Sequence, residues 1–188
     1  MKKVDRNGDK KITTDDLYYY GDANPHYQFG INLGFEYKGL DFSAFIQGVG
    51  QQNLIREGNI RGPFVSWWMN QNSTYLYNTW NEENTGARFP LLSFNGSIND
   101  WNYSHYNDIN VMKVWYARLK NVAIGYTFPK KWMNKAGIDN LRLYVSADNI
   151  FEVDSVADNF DPETQASTGQ GKIDCYARTV SFGIDITF

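Results

Sequence analysis

The side chains that could do chemistry are concentrated near the start of the sequence, in residues 5–16, which read DRNGDKKITTDD. The candidate ligands, four side chains and one backbone carbonyl, are Asp5, Asn7, Asp9, Lys11 and Asp16. Their spacing matches positions 1, 3, 5, 7 and 12 of an EF-hand loop, which wraps oxygen ligands around one hard cation. The segment therefore predicts a Ca²⁺ site in which Lys11 contributes its backbone carbonyl.

The acidic segment departs from the EF-hand pattern at two positions. Lys10 occupies position 6, where glycine normally makes the turn, and Asp16 replaces the longer glutamate of position 12. An alternative interpretation is a surface turn that binds no metal, because Asp and Asn side chains readily accept hydrogen bonds from nearby backbone. Both interpretations stay open from the sequence.

Catalytic motifs are missing from the rest of the sequence. There is no H-E-x-x-H, no G-x-S-x-G and no glycine-rich phosphate loop, and the two histidines are His26 and His105. We therefore assign no catalytic residue and expect no enzyme activity. The formal net charge is -3 and no basic patch is present, which argues against nucleic acid as a partner.

The elements that must position these residues are amphipathic strands. In residues 26–37 and 180–188, apolar residues alternate with polar or small ones without a break. A period of two places the apolar set on one face of a strand. Five strands are predicted in this way, at 26–37, 40–50, 116–128, 141–151 and 176–188. The alternation slips near Leu119 and Asn121, which predicts a β-bulge.

The lengths of the connections indicate a membrane protein. Strands of roughly 9–11 residues cross a bilayer when tilted. The connections alternate between short, at 38–39 and 129–140, and long, at 51–115 and 152–175. Outer-membrane barrels have short periplasmic turns and long extracellular loops, so the pattern predicts an all-β, transmembrane antiparallel barrel, with residues 1–25 as a further extracellular loop. Five strands cannot close a barrel, and we expect the missing strands elsewhere.

The composition is compatible with this prediction. No apolar run is long enough for a membrane helix, and 16% of the residues are aromatic. The aromatic residues of the long loop include Trp67, Trp68, Trp80, Trp101 and Trp115. They could stack on a ligand, but we favour packing within the loop or against a partner. The single Cys175 gives no information on compartment, and without a signal peptide we expect a piece of a larger chain.

Residues 117–151, ARLKNVAIGYTFPKKWMNKAGIDNLRLYVSADNIF, resemble the C-terminal signature of the SusC/RagA family of TonB-linked outer-membrane transporters. The matching blocks are RLKN-x-x-x-GY-x-x-P at Arg118 to Pro129 and NLRLY-x-x-x-x-N at Asn140 to Asn149. The segment DRNGDKKIT is also similar to a segment of that family, with Lys10 in place of its glycine. The resemblance covers nearly the full chain.

The resemblance implies a nutrient importer of the cell outer membrane. Its members are 22-stranded barrels, of which this chain would supply the last five strands. A plug, TonB contacting the missing N-terminal region, and a SusD-like surface lipoprotein are the implied partners, and oligosaccharides or peptides are the implied substrates. The alternative is a secreted, calcium-stabilised carbohydrate-binding β-sandwich, which the aromatic residues fit and the alternating loop lengths do not.

Overall fold

The computed structural model describes residues 3–56, 58, 61–63, 73–93, 95–103, 107–156, 160–164 and 175–188. The chain divides into two compact units. We call residues 25–51, 114–155 and 175–188 the sheet unit, and residues 1–24, 52–113 and 156–174 the loop unit.

One five-stranded sheet contains the strands of the described residues. These strands are β1 (Tyr27–Tyr37), β2 (Leu40–Ile55), β3 (Val111–Thr127), β4 (Asn140–Asp154) and β5 (Thr179–Thr187). They lie side by side in sequence order. The pairings of β1 with β2, β3 with β4 and β4 with β5 are antiparallel. The predicted antiparallel sheet is therefore confirmed.

Two strands extend further into the long loop than predicted. β2 continues to Ile55 instead of ending at residue 50, and β3 begins at Val111 instead of residue 116. In the extended part of β2, Gln52 and Leu54 are buried. Because the polar Gln52 occupies one of these inward positions, the sequence does not show the alternation of apolar and polar residues there. β4 likewise reaches Asp154, whereas β5 begins three residues later than predicted, at Thr179.

Turn chemistry explains the local geometry between the strands. Lys38 and Gly39 join β1 to β2 with φ of 50° and 90°, the two positive values that a tight I′-type hairpin requires. The predicted bulge is confirmed, since the register of β3 against β4 shifts between Leu119 and Asn121. Asn149 on the facing strand has a φ of 53°. The short connection between β3 and β4 contains one helical turn, at Lys130–Met133.

The loop unit has its own aromatic core. The helices that the described part of the unit contains include α1 (Ser73–Tyr77) and α2 (Gly96–Asn102). The buried cluster consists of Tyr75, Phe89, Tyr103 and Ile109, and the rings of Tyr75 and Phe89 lie 4.7 Å apart. Within the described residues, no helix has the length and apolar character needed to cross a membrane.

The tryptophans singled out in the sequence are not the residues that form this core. Trp80, Trp101 and Trp115 are 38%, 43% and 46% exposed, whereas tyrosine and phenylalanine fill the buried positions. Trp67 and Trp68 lie outside the described residues. Aromatic packing of the long loop is therefore present, but through smaller rings than expected.

Candidate functional site

The sheet unit presents one continuous apolar face. Cross-strand partners on this face are both apolar, for example Ile31 with Ile46 and Val145 with Phe182. Its members are Phe29, Ile31, Leu33, Phe35, Leu40, Phe42, Ala44, Ile46, Val122, Ile124, Tyr126, Leu141, Leu143, Val145, Ala147, Val180, Phe182, Ile184 and Ile186. Phe182 is 81% exposed and Ile184 65%. A contiguous apolar surface of this extent marks a site of contact with lipid or another protein.

The dimensions of the face match a lipid bilayer. β1 has 11 residues. At about 3.3 Å per residue it is roughly 36 Å long, which at a tilt near 45° spans about 25 Å, the height of the apolar band of a membrane barrel. Tyr27 and Tyr37, at the two ends of β1, are 67% and 64% exposed, and Trp132 in the short connection is 59% exposed. Aromatic rings at such positions are typical of the two bilayer interfaces.

The opposite face of the sheet is polar, and four charged residues cross it near the short connections. We call Glu36, Asp41, Arg142 and Asp185 the charged row. Arg142 donates from Nε and Nη2 to the two oxygens of Asp41, at 2.9 and 2.7 Å, and from Nη1 to Asp185 at 3.0 Å. The guanidinium on β4 thus connects β2 and β5.

A glycine on the intervening strand makes this connection possible. A Cβ atom on Gly125 of β3 would lie 2.5 Å from Oδ1 of Asp41 and 2.7 Å from Nε of Arg142. Both distances are shorter than van der Waals contact, so any side chain at position 125 must displace the ion pair. Tyr144 similarly covers Gly183, whose Cβ would overlap the tyrosine ring.

A second group of charges lies at the long-loop end of β4. Arg118 is 1% exposed and donates from Nε to Glu152 at 3.0 Å. Arg178 lies 3.6 Å from the other oxygen of the same carboxylate. The ring of Tyr176 lies 5.2 Å from Cζ of Arg118 and 4.5 Å from Nζ of Lys120. Pairing with Glu152 and the aromatic ring both stabilise the buried guanidinium.

The acidic segment folds into successive side-chain turns. Asp5 accepts hydrogen bonds from the backbone N–H groups of Gly8 and Lys10, both at 2.7 Å. Asn7 accepts from Asp9 at 2.9 Å, and Asp9 from Lys11 at 2.7 Å. Lys10 takes a φ of 65°, the left-handed conformation that glycine supplies at this position of an EF-hand.

Asp16 closes the acidic segment. Its oxygens accept hydrogen bonds from the backbone N–H groups of Arg6 at 2.7 Å and Thr13 at 2.9 Å. The N–H groups of Thr13 and Arg6 hold the pKa of the Asp16 carboxyl below its usual value, because they stabilise the ionised form. The segment therefore presents ionised oxygen groups, which a hard cation prefers.

In the part of the chain that the structure describes, no group of three or more His, Cys, Asp or Glu side chains is arranged to hold a metal ion. The carboxylates of Asp5 and Asp16 are occupied by backbone donors and keep further lone pairs for a ligand. The Ca²⁺ site at Asp5, Asn7, Asp9, Lys11 and Asp16 stays a prediction.

Comparison with known proteins identifies relatives of this chain. No family model matches it. It is 28% identical over 196 residues to the TonB-dependent receptor P26 of Formosa agariphila, covering 100% of this chain and 19% of that protein. It is 24% identical over 189 residues to the TonB-dependent receptor SusC of Bacteroides thetaiotaomicron, covering 98% and 17%. The chain is related to the SusC/RagA family of TonB-dependent receptors.

Solved structures support the fold of this SusC/RagA-type chain. The RagAB peptide importer in its closed-closed state matches 99% of the chain and 20% of the compared chain, with a TM-score of 0.70 and 22% identity. The open-open state of RagAB matches 95% and 19%, with a TM-score of 0.69 and 22% identity. The chain spans less than a fifth of the length of the curated relatives named above.

Sequence reasoning identified the apolar face of this SusC/RagA-type chain but missed the charged row. Asp41 and Arg142 are 101 positions apart, so no local spacing signals their contact. Alternation does assign both residues to the polar face of their strands. A charge on that face is therefore the signal that could have found the row.

Proposed function

We propose that the chain is a strand segment of a TonB-dependent importer of the SusC/RagA kind in the cell outer membrane. In this proposal it supplies the last five strands of a 22-stranded barrel. The complete importer takes up oligosaccharides or peptides and acts with a SusD-like lipoprotein at the cell surface. No reaction is carried out on the substrate.

The observation that carries the proposal is the two-faced sheet. One face is apolar from Phe29 to Phe35 on β1 and from Val180 to Ile186 on β5, and these side chains are exposed. In water, about 25 cal/mol for each Å² of such surface would favour association or aggregation. Against lipid the same surface carries no such penalty, while the polar face turns to the barrel interior.

The mechanism assigns the two units different tasks. The strands form the barrel wall and hold the long loops at one end. The loop unit, with its exposed Trp80 and Trp101, contacts the lid lipoprotein and the substrate. Movement of the plug, driven through TonB, then opens the path along the polar face. The segment of residues 5–16 binds Ca²⁺ at the extracellular side in this proposal.

The secreted β-sandwich is the less favoured function. A sandwich packs two sheets face to face and buries both inner faces. In the described residues the strands form one sheet, and its apolar face has no second layer over it. No observation specific to the sandwich remains in its favour.

Fractionation of native membranes tests the proposal. We expect the protein in the outer-membrane fraction, extracted only by detergent, and to co-purify with a surface lipoprotein identified by mass spectrometry. A single species that is soluble without detergent would refute the membrane assignment.

Cysteine labelling tests the orientation of the two faces. Phe182→Cys and Ser181→Cys are neighbours on β5 that point to opposite faces, and each is placed in a Cys175→Ser background. We expect a lipid-soluble maleimide to label position 182 and a charged maleimide to label only position 181. Equal labelling of both positions by the charged reagent would contradict a lipid-facing position 182.

A further inference from the structure

The register of β5 against β4 is not fixed by the connection between these strands. Strands β1 and β2 are joined by the tight turn at Lys38 and Gly39, which sets their pairing. Strands β4 and β5 are joined by residues 155–178, a connection whose length allows several pairings. Contacts between the two strands themselves must therefore select the observed register.

The alternation of apolar and polar residues excludes slips by one residue but not slips by two. A slip by one residue would turn the apolar side chains of β5 to the polar face of the sheet. A slip by two residues leaves these side chains on their own face. Val145, for example, lies opposite Phe182 and would then lie opposite Val180 or Ile184. At about 3.3 Å per residue, such a slip moves β5 by roughly 7 Å along β4 without exposing an apolar side chain to the polar face.

On the polar face, a slip by two residues would remove a close contact between a tyrosine and a glycine. Tyr144 lies directly opposite Gly183, and its ring covers the glycine so closely that a Cβ atom there would overlap the ring. Gly183 is the single residue of β5 that is not exposed. A slip would place Ser181 or Asp185 opposite Tyr144. Each of these two residues carries a Cβ atom where the ring now lies, so the ring would have to leave its position.

Arg142 keeps the ring of Tyr144 over β5. Its Cζ atom lies 4.6 Å from the centroid of the ring, within the range of a cation–π interaction. The same guanidinium donates a hydrogen bond to Asp185, its direct cross-strand partner, at 3.0 Å. A slip by two residues would break this ion pair as well, because Gly183 or Thr187 would then face Arg142. The ring and the ion pair therefore favour the same register.

We propose that Tyr144 and Gly183 determine the register of β5, because the ring fits only where a glycine lies opposite it. Arg142 holds the ring in this orientation. The proposal concerns the pairing of two strands and does not depend on the importer assignment. Under the proposed function it has a further consequence, because barrel closure requires a defined stagger of the strands, which a slip of β5 would change.

Disulfide trapping in the full-length native protein reads the register directly. Thr179→Cys is combined with Asp148→Cys, its partner in the observed register, or with Ser146→Cys, its partner after a slip by two residues. Directly opposite cysteines lie within reach of a disulfide, whereas diagonal neighbours on one face are about 7–8 Å apart. The exposed Cys175 is replaced by serine in every variant. With a mild oxidant, we expect the first pair to cross-link and the second pair to stay reduced.

Moving the glycine along β5 should move the register. Ser181→Gly combined with Gly183→Ser, which we call the exchange variant, places the glycine opposite Tyr144 only in the slipped pairing. We expect the ratio of the slipped cross-link to the observed cross-link to rise roughly tenfold or more, which corresponds to about 1.4 kcal/mol. An unchanged ratio in the exchange variant overturns the proposal.

Two substitutions of Tyr144 separate the effect of its ring from other effects of the exchange. With Tyr144→Ala the ring is absent, so the exchange should leave the ratio of the two cross-links unchanged. With Tyr144→Phe the ring is kept, so the exchange should still raise the ratio. A rise in the presence of Tyr144→Ala would show that the glycine acts through strand propensity alone, and the proposal would be wrong.

Ser181→Gly alone replaces the exchange variant if the latter does not accumulate. This variant keeps Gly183 and offers the ring of Tyr144 a second glycine, so the slipped pairing becomes accessible while the observed pairing stays intact. We expect the slipped cross-link to appear, and its absence overturns the proposal. The cross-links are read in whichever cell fraction contains the protein, so a soluble protein refutes the importer assignment and leaves this comparison valid.

Discussion

Gly125 is the position at which a single methyl group should break a contact between distant strands. In Gly125→Ala the new Cβ would lie 2.5 Å from Oδ1 of Asp41 and 2.7 Å from Nε of Arg142. Both atoms are at the ends of flexible side chains, so the side chains move and the backbone stays. The expected loss is therefore the bidentate geometry of the ion pair and not the strand.

The magnitude follows from the exposure of the pair. Hydrogen bonds to charged groups contribute roughly 1.5–3 kcal/mol in general. The side chains of Arg142 and Asp41 are 28% and 26% exposed, so solvent screening reduces the contribution to about 1–2 kcal/mol. Replacing glycine in a strand returns roughly 0.5–1 kcal/mol of backbone entropy. We expect a net destabilisation of about 1 kcal/mol.

The assay is urea unfolding of the purified native protein, with Gly34→Ala as the matched control. Gly34 also lies on the polar face, but its Cβ would meet only a backbone oxygen at 3.6 Å, an ordinary contact. We expect Gly34→Ala to be neutral or slightly stabilising. Combining Gly125→Ala with Asp41→Asn should be strongly non-additive, because both changes remove one interaction. If Gly125→Ala behaves like Gly34→Ala and the double variant is additive, the reasoning is refuted.

Three further predictions concern the acidic segment. Lys10→Gly should stabilise the segment by about 1 kcal/mol, because a residue with a side chain is strained at a φ of 65°. The control Lys11→Gly should not stabilise it, and limited proteolysis compares the rates at which the two variants are cleaved. The pKa of Asp16 is lowered, so the carboxylate stabilises the folded segment fully when the pH is above its ordinary pKa of 3.8. This stabilisation is lost as the pH falls through the lower pKa of the folded state. Hydrogen exchange at the Thr13 amide measures the loss, and Asp16→Asn should abolish the pH dependence. Calorimetric titration should detect Ca²⁺ binding that Asp5→Asn removes, and no heat at millimolar Ca²⁺ would show a metal-free turn.

The sequence was sufficient to predict the parts of the fold that depend on local pattern. Strand alternation, the Lys38–Gly39 turn and the bulge near Asn121 each depend on neighbouring residues and were found. The end of β2 was misplaced because Gln52 occupies a buried position that alternation assigns to an apolar residue. Helices α1 and α2 were missed because they are short and packed around Tyr75 and Tyr103, contacts that sequence periodicity does not carry.

The candidate site also has one part that the sequence predicts and one part that it does not. The apolar face follows from composition along each strand, but the charged row exists only after four strands are placed in register. Arg142 connects strands that are 101 positions apart on one side and 43 on the other. Such a contact is an outcome of topology, so its residues look like isolated surface charges in the sequence. The same holds for Glu36, which lies directly opposite Asp41 only because of the register of β1 against β2.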